Sequence, residues 1–325
     1  MRLVFCGTPQ FAVPTLKCLL AKPDFRVLAV ITQPDRPRGR GQQVFFSPVK
    51  EVALAAKIPL HQPDKIRAPE VQQLLEKLAP DLIVIIAYGQ IIPARLLSIP
   101  KHGWINLHAS LLPKYRGAAP INWAIANGET RTGFTTMRID AGMDTGDILL
   151  QHEMEIGPAE SAPELAARMS EAGPPLMEET LRGLAGGTIV PRPQNHGEAT
   201  VAPILKKEDG CIDWNRFAQE IYNRMRGFAP WPGAYTTFRG QTCHLWGQPV
   251  AEASSLPAVR ADPSLPAAHS VPGTLFGAKN DWFVSCGNAT FLRLQAVKLE
   301  GRKQVTASEF ANGARLKPGE RFGDA

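Results

Sequence analysis

The chain has 325 residues, 44% of them hydrophobic and 20% charged, which argues against a disordered or fibrous protein and supplies apolar material for two cored domains. A formal net charge of +6 is compatible with an anionic partner without requiring one. The five cysteines (Cys6, Cys18, Cys211, Cys243, Cys286) are scattered and never form Cys-x-x-Cys, which argues against a disulfide framework or a zinc knot and for a reducing compartment.

Residues 2–6 predict a buried strand, followed by Gly7-Thr8-Pro9 and a helix over 11–21. The apolar run at 3–6 is too short for a signal-peptide core, and the run at 82–87 falls far short of a membrane span, so a cytoplasmic protein without membrane association is expected. Residues 27–32 predict a second strand, leading into a loop from Gln33 to about Phe46. Ser47-Pro48 then supplies an N-cap and a first-turn proline for a helix. Pro69 opens another, with Val71, Leu74, Leu75 and Leu78 at amphipathic spacing. The unbroken apolar run at 82–87 predicts a strand buried on both faces, and 104–108 predicts a fourth. Strands alternating with helices in this way predict a Rossmann-like, mostly parallel α/β sheet with helices on both faces. The first strand is followed by Gly-Thr-Pro-Gln-Phe-Ala, not Gly-x-Gly-x-x-Gly, so the dinucleotide fingerprint is absent and a nicotinamide or flavin enzyme is disfavoured.

After a helix ending near Asn127-Gly128, residues 132–139 and 148–156 predict two strands joined by an acidic, glycine-rich loop. Ser161-Ala-Pro-Glu164 is a capping box opening a helix that is expected to break at Gly173-Pro174-Pro175 and resume to Ala185. The resulting expectation is one domain over 1–189, a proline-rich polar linker over 190–203, and a second domain over 204–325. In the second domain an amphipathic helix over 214–226 places Phe217, Ile221 and Met225 on one side. Short strands at 234–238, 241–246, 281–286 and 289–297 predict a small OB-like β-barrel. This part carries 15 Lys/Arg against 11 Asp/Glu, so most of the surplus charge lies here, and 251–272 reads as a flexible surface excursion.

Side chains alternate along a strand, so Asn106 and His108 share a face at a strand's carboxyl end, where open α/β sheets place ligands. An amide beside an imidazole held charged by a nearby carboxylate suits an oxygen that becomes negative during attack on a carbonyl. The loop Asp140-Ala-Gly-Met-Asp-Thr-Gly-Asp147 lacks the calcium-loop pattern; one of its aspartates is expected to meet His108, and spacing does not choose among them. Arg36, Arg38 and Arg40, spaced by proline and glycine, form a basic loop suited to phosphates or only to solvent. Pro113-Lys114-Tyr115-Arg116-Gly117 adds a basic-aromatic cluster directly after the suspected site. The remaining histidines have no ligand spacing, so no metal is expected.

Asn106-Leu-His108-Ala-Ser110-Leu-Leu-Pro113, followed by Arg116-Gly117, resembles the signature of the folate-dependent formyltransferases. The 140–147 loop resembles their aspartate segment, with Asp144 at its catalytic position. Similarity to the branch that formylates methionyl-tRNA runs from Val4-Phe-Cys-Gly-Thr-Pro9 through Gln33-Pro-Asp-Arg-Pro-Arg-Gly-Arg-Gly41 and Ser47-Pro-Val-Lys50. It continues through Ala87-Tyr-Gly89 and Arg116-Gly-Ala-Ala-Pro-Ile121 to Glu208-Asp-Gly-Cys-Ile-Asp-Trp214 and Phe228-Ala-Pro-Trp-Pro232. The resemblance implies a monomeric enzyme of translation initiation. It would move a formyl group from 10-formyltetrahydrofolate to the α-amino group of methionyl-initiator tRNA, without a metal. It implies Asn106, His108 and Asp144 as the catalytic trio and Ser110, Leu111, Leu112 and Pro113 as folate contacts. Arg36, Arg38, Arg40, Lys114 and Arg116 are the expected nucleic-acid contacts, with the C-terminal barrel as a second tRNA surface. The nearest alternative is a folate-dependent formyltransferase for another amine, such as a sugar nucleotide. A non-catalytic RNA-binding protein is the alternative of another class, and it would have no physical need for all three of Asn106, His108 and Asp144.

Overall fold

A computed structural model of the chain describes residues 1–38, 43–250, 271–278, 281–317 and 319–323. They form two compact units, neither of them a single stretch of chain. The first comprises Met1–Ile121, Arg131–Ile156 and Glu164–Pro203; the second comprises Asn122–Thr130, Gly157–Pro163 and Ile204–Ala325.

The first unit is built on β1 (Arg2–Gly7), β2 (Arg26–Ile31), β5 (Leu60–His61), β6 (Leu82–Ile86), β7 (Trp104–His108), β8 (Arg131–Arg138) and β9 (Ile148–Glu155). Their order across the sheet is β5-β2-β1-β6-β7-β8-β9. The first five run parallel, as the alternation of strands and helices predicts, while β8 is antiparallel to both of its neighbours, β7 and β9. Both faces are covered. Val4 and Cys6 of β1 join a buried cluster with Ile83, Ile85 and Trp104, while Leu3 and Phe5, pointing the other way, are equally buried. β2 and β6 flank β1 on opposite sides, so the strand order reverses there and a crevice opens beyond the carboxyl ends.

The helices of this unit include α1 (Val13–Leu20), α2 (Pro48–Ala55), α3 (Pro69–Leu78) and α4 (Ala94–Leu97). α5 (Pro120–Ala126) begins in this unit, and most of α6 (Ala162–Gly186) belongs to it. Ser47 caps α2 as expected, its Oγ accepting from the Lys50 amide at 3.1 Å. α6 corrects the sequence reading, because it continues through Pro174 and Pro175 without a break. Two backbone donors are lost there, but Leu165, Met169, Met177, Leu181 and Leu184 are buried along one side of the helix, on both sides of the prolines. Gly173 lies on the same stripe, so close to Leu107 that an added Cβ would stand 2.8 Å from its Cδ2.

Residues 190–203, read from sequence as a linker, fall inside this unit. Gln194 and Ala202 are buried, Arg192 exchanges backbone hydrogen bonds with Ile148, and Ala202 donates to the Arg116 carbonyl at 2.7 Å. The proline and polar composition that suggested a linker belongs instead to an irregular strap whose backbone pairs with the site loops. The Gln33–Phe46 loop also has structure at its base, where β3 (Arg36–Arg38) pairs antiparallel with β4 (Gln43–Phe45).

The second unit carries α7 (Ala218–Gly227), β10 (Tyr235–Phe238), β11 (Gln241–Pro249), β12 (Leu275–Ala278), β13 (Asp281–Ser285), β14 (Phe291–Leu299), β15 (Val305–Thr306) and α8 (Ala307–Ala314). The strands form an antiparallel sheet in the order β10-β11-β14-β13-β12, with β15 added to β14. Among the described residues no pairing joins the two end strands. Ile221 and Met225 of α7 pack into a core with Leu245, Leu292, Val297, Phe310 and Phe322. Phe217, expected on that apolar side, precedes the helix and is 45% exposed. The three segments of the unit are tied together by the Asn122 amide on the Gly227 carbonyl (2.7 Å), the edge of Trp123 against Phe228 (5.2 Å) and Arg226 on the carbonyls of Gly157 and Glu160. Residues 251–270, most of the expected surface excursion, lie outside the described residues.

Candidate active site

β7 delivers Asn106 and His108 to the carboxyl edge of the sheet on one face, as alternation requires. His108 is buried and its ring is fixed from both ends. Nε2 donates to the Tyr115 carbonyl at 2.9 Å, and Nδ1 faces Asp144 Oδ2 at 3.6 Å. A carbonyl can only accept, so the proton of the neutral ring belongs on Nε2. A second proton, on Nδ1, would face the carboxylate, and the gap is wide enough for that proton to be shared with another oxygen. Asn106 is half-buried on the same face, and its carboxamide takes no partner among the described residues.

The acidic loop resolves into distinct roles. Asp140 is structural, since its Oδ1 accepts from the Gly142 amide (2.9 Å) and the Thr145 hydroxyl (2.7 Å). Asp144 is the aspartate that meets His108, and its Oδ2 also accepts from the Gly117 amide at 2.8 Å. It sits at φ +53°, in the left-handed region, which aspartate enters more readily than most non-glycine residues. Gln194 holds its main chain, donating to the Asp144 carbonyl at 2.9 Å and the Gly146 carbonyl at 2.7 Å.

The turn after His108 is braced by Thr135 of β8. Its hydroxyl donates to the Ser110 carbonyl (2.7 Å) and accepts from the Leu112 amide (3.0 Å) and from Gln151 (3.1 Å). Of the expected folate contacts, Ser110 and Leu112 are buried within the turn, while Leu111 and Pro113 are partly exposed. Ser110 donates its hydroxyl to the Lys114 carbonyl at 2.6 Å, which shapes the turn. Lys114 and Arg36 are exposed; the Arg38 side chain and Arg40 lie outside the described residues.

Arg116 is the fifth expected nucleic-acid contact. It is buried, and its guanidinium is engaged within the unit by Gln194 Oε1 (3.0 and 2.6 Å) and His196 Nδ1 (3.2 Å). Sequence reasoning missed Gln194, Thr135 and the main-chain groups of Tyr115 and Gly117. The first sits in a segment that reads as a linker, and backbone donors carry no compositional signal.

Beyond the carboxyl ends of β1, β2 and β6 lies a cleft of about 910 Å³, lined by Thr8, Gln33, Arg36, Phe46, Lys65 and Ile91 among others. Asp35 and Phe46 of that lining are both held by Lys50, which hydrogen-bonds Asp35 and Gln62 and stacks its ammonium on Phe46, 3.9 Å from the ring centroid. The Lys50 hydrogen bond, then that of Gln62, holds the Asp35 carboxyl below the usual carboxylate range. Among the described residues no group of three or more His, Cys, Asp or Glu is placed to hold a metal ion, and no helix is long and apolar enough to cross a membrane.

Residues 1–181 match the formyl transferase family and residues 204–315 match the formyl transferase C-terminal domain. Methionyl-tRNA formyltransferase of Solibacter usitatus is 51% identical over 325 residues, covering 100% of this chain and 99% of the relative. That of Acidobacterium capsulatum is 52% identical over 324 residues, covering 99% and 100%. The chain belongs to the methionyl-tRNA formyltransferase family. Among solved structures, the sugar 3N-formyl transferase WlaRD, crystallised in the presence of dTDP and 5-N-formyl-THF, superposes with a TM-score of 0.64 at 17% identity over 93% of this chain and 99% of that one. At that identity the likeness shows the shared fold. The two family matches leave out residues 182–203, the stretch that holds Gln194.

Proposed function

We propose that the chain formylates the α-amino group of methionine on initiator tRNA, with 10-formyltetrahydrofolate as donor and Asn106, His108 and Asp144 as the catalytic residues. The observation that carries this is the His108 ring, held between a carbonyl on Nε2 and the Asp144 carboxylate near Nδ1, beside the uncommitted amide of Asn106. Partly exposed Leu111 and Pro113 offer apolar surface for a folate next to that pair. The folate supplies the formyl group. As the amine nitrogen bonds to the formyl carbon, the carbonyl electron pair moves onto the formyl oxygen, which gains charge; the pair returns to re-form the carbonyl as the bond from that carbon to N10 breaks. Asn106 N–H and His108 Nδ1–H stabilise the charged oxygen, and Asp144 offsets the imidazolium. The proton lost by the attacking nitrogen moves through Asp144 to the departing N10. Arg36, Arg38, Arg40 and Lys114 would meet tRNA phosphates, and the basic 204–325 region would add a second tRNA surface. A cytoplasmic monomer is the form in which this reading places the enzyme.

The test is to incubate the protein with 10-formyltetrahydrofolate and, in parallel, methionyl-initiator tRNA, uncharged tRNA and glycinamide ribonucleotide. Formyl transfer is expected to the charged tRNA alone; transfer to the ribonucleotide instead overturns the reading. In the same assay His108→Ala should lower kcat about 100- to 1000-fold, the usual cost of one donor to a developing oxyanion, with KM for the tRNA little changed.

A further inference from the structure

We infer that Gln194 is a positioning residue for Asp144, coupling the acidic loop to the Arg116 turn through one side-chain amide. The inference rests on the reading of Asp144 as catalytic. Gln194 is 6% exposed, and its amide uses its full capacity of four hydrogen bonds. Oε1 accepts from Nε and from a terminal nitrogen of Arg116 (3.0 and 2.6 Å); Nε2 donates to the carbonyls of Asp144 (2.9 Å) and Gly146 (2.7 Å). The partners leave no ambiguity about the orientation of the amide, because a guanidinium only donates and a carbonyl only accepts.

The connection makes a closed mechanical circuit. Arg116 and Gly117 are adjacent in sequence; the Gly117 amide binds the Asp144 carboxylate, and Gln194 binds both the Arg116 side chain and the Asp144 main chain. Asp144 is therefore held at its carboxylate and at its carbonyl by two ends of one assembly. The left-handed φ of +53° is one that aspartate tolerates better than most residues. The second hold therefore acts by fixing the position of the Asp144 main chain, and its loss frees the carboxylate to move from the Nδ1 side of His108. Misplacing a catalytic group by about 1 Å costs about 100-fold in rate. Arg116 adjoins Tyr115, whose carbonyl holds His108 Nε2, so the route through Asp144 has to be separated from the route through Arg116.

Two substitutions divide the amide. Gln194→Glu keeps acceptors for Arg116 but turns a carboxylate toward two carbonyls, removing the hold on Asp144 alone; Gln194→Met removes both halves at similar volume. The measurement is kcat and KM for methionyl-tRNA formylation, with the melting temperature recorded for each variant, in the native background and in Asp144→Asn. The expected result is that Gln194→Glu lowers kcat about 10- to 100-fold with both KM values within about threefold, and that it lowers the residual rate of Asp144→Asn by less than twofold. A Gln194→Glu enzyme with native kcat overturns the inference, as does a loss of equal size in both backgrounds. If Gln194→Met does not fold, Gln194→Glu still decides the matter, since it retains the Arg116 contacts. An Asp144→Asn enzyme with native kcat would instead overturn the catalytic reading of Asp144, an outcome distinct from either of these.

Discussion

At Gly117 backbone conformation, packing and chemistry meet in one residue. Its φ of +118° suits glycine alone, an added Cβ would stand 2.7 Å from the Ala202 carbonyl oxygen, and its amide is a donor to Asp144. Gly117→Ala should therefore destabilise the protein by about 2 kcal/mol or more and lower kcat as well, because the strap at 200–202 and the Asp144 carboxylate must both shift. A urea midpoint indistinguishable from the native protein would contradict this. Arg116, one position away, shows why a basic residue beside a site need not bind a ligand. Its charge is buried, and each of its three nitrogens reaches a partner within the unit, two of them Gln194 Oε1 and one His196 Nδ1.

Among the elements, the short helix α2 depends on its cap. Ser47 Oγ accepts from the Lys50 amide at 3.1 Å and pairs with the Thr32 hydroxyl at 2.9 Å, joining the helix start to the end of β2. Ser47→Ala is expected to cost about 1 kcal/mol, read as a lowered denaturation midpoint with an unchanged slope. This cap was legible from Ser47-Pro48 alone, as were β6 from its unbroken apolar run and the shared face of Asn106 and His108 from alternation. These are local patterns, fixed by residues within one turn or one strand. The brace on Asp144 was not legible, because Gln194 lies 50 positions from Asp144 and 78 from Arg116, and no periodicity links such partners. Likewise, Asp144 stood out from Asp140 and Asp147 only by resemblance to a family; its spacing carried no preference. The unbroken α6 was misread for another reason. Pro174-Pro175 signals a break locally, and a buried stripe spanning both sides of the prolines overrides that signal.

Over the whole molecule, several titrating groups favour neutral pH. Burial holds His61 below its ordinary range, and burial reinforced by Lys298 does the same for His244. For a histidine held neutral in the fold, the unfolded chain binds the proton more readily, so stability is present above about pH 6.5 and is lost as pH falls. Asp35 and Glu178 are held low by their hydrogen bonds to Lys50 and Lys22 respectively, and they contribute in the same direction, present above about pH 4 and lost below it. The melting temperature should accordingly fall on acidification from pH 7, gently at first and then steeply below about pH 4.5; a flat profile from pH 7 to pH 4 would contradict it.

The strap that carries Gln194 also sets an order of events during synthesis. A ribosome makes the chain from its amino end, and every strand of the first unit has been made once Glu155 is in place. A nascent chain paused at residue 181, where the formyl transferase match ends, carries Asn106, His108 and Asp144 but not the amide that holds Asp144. The strands of the scaffold are thus made before the hydrogen bonds from Gln194 to the Asp144 and Gly146 carbonyls can form, which requires residue 194 to have emerged.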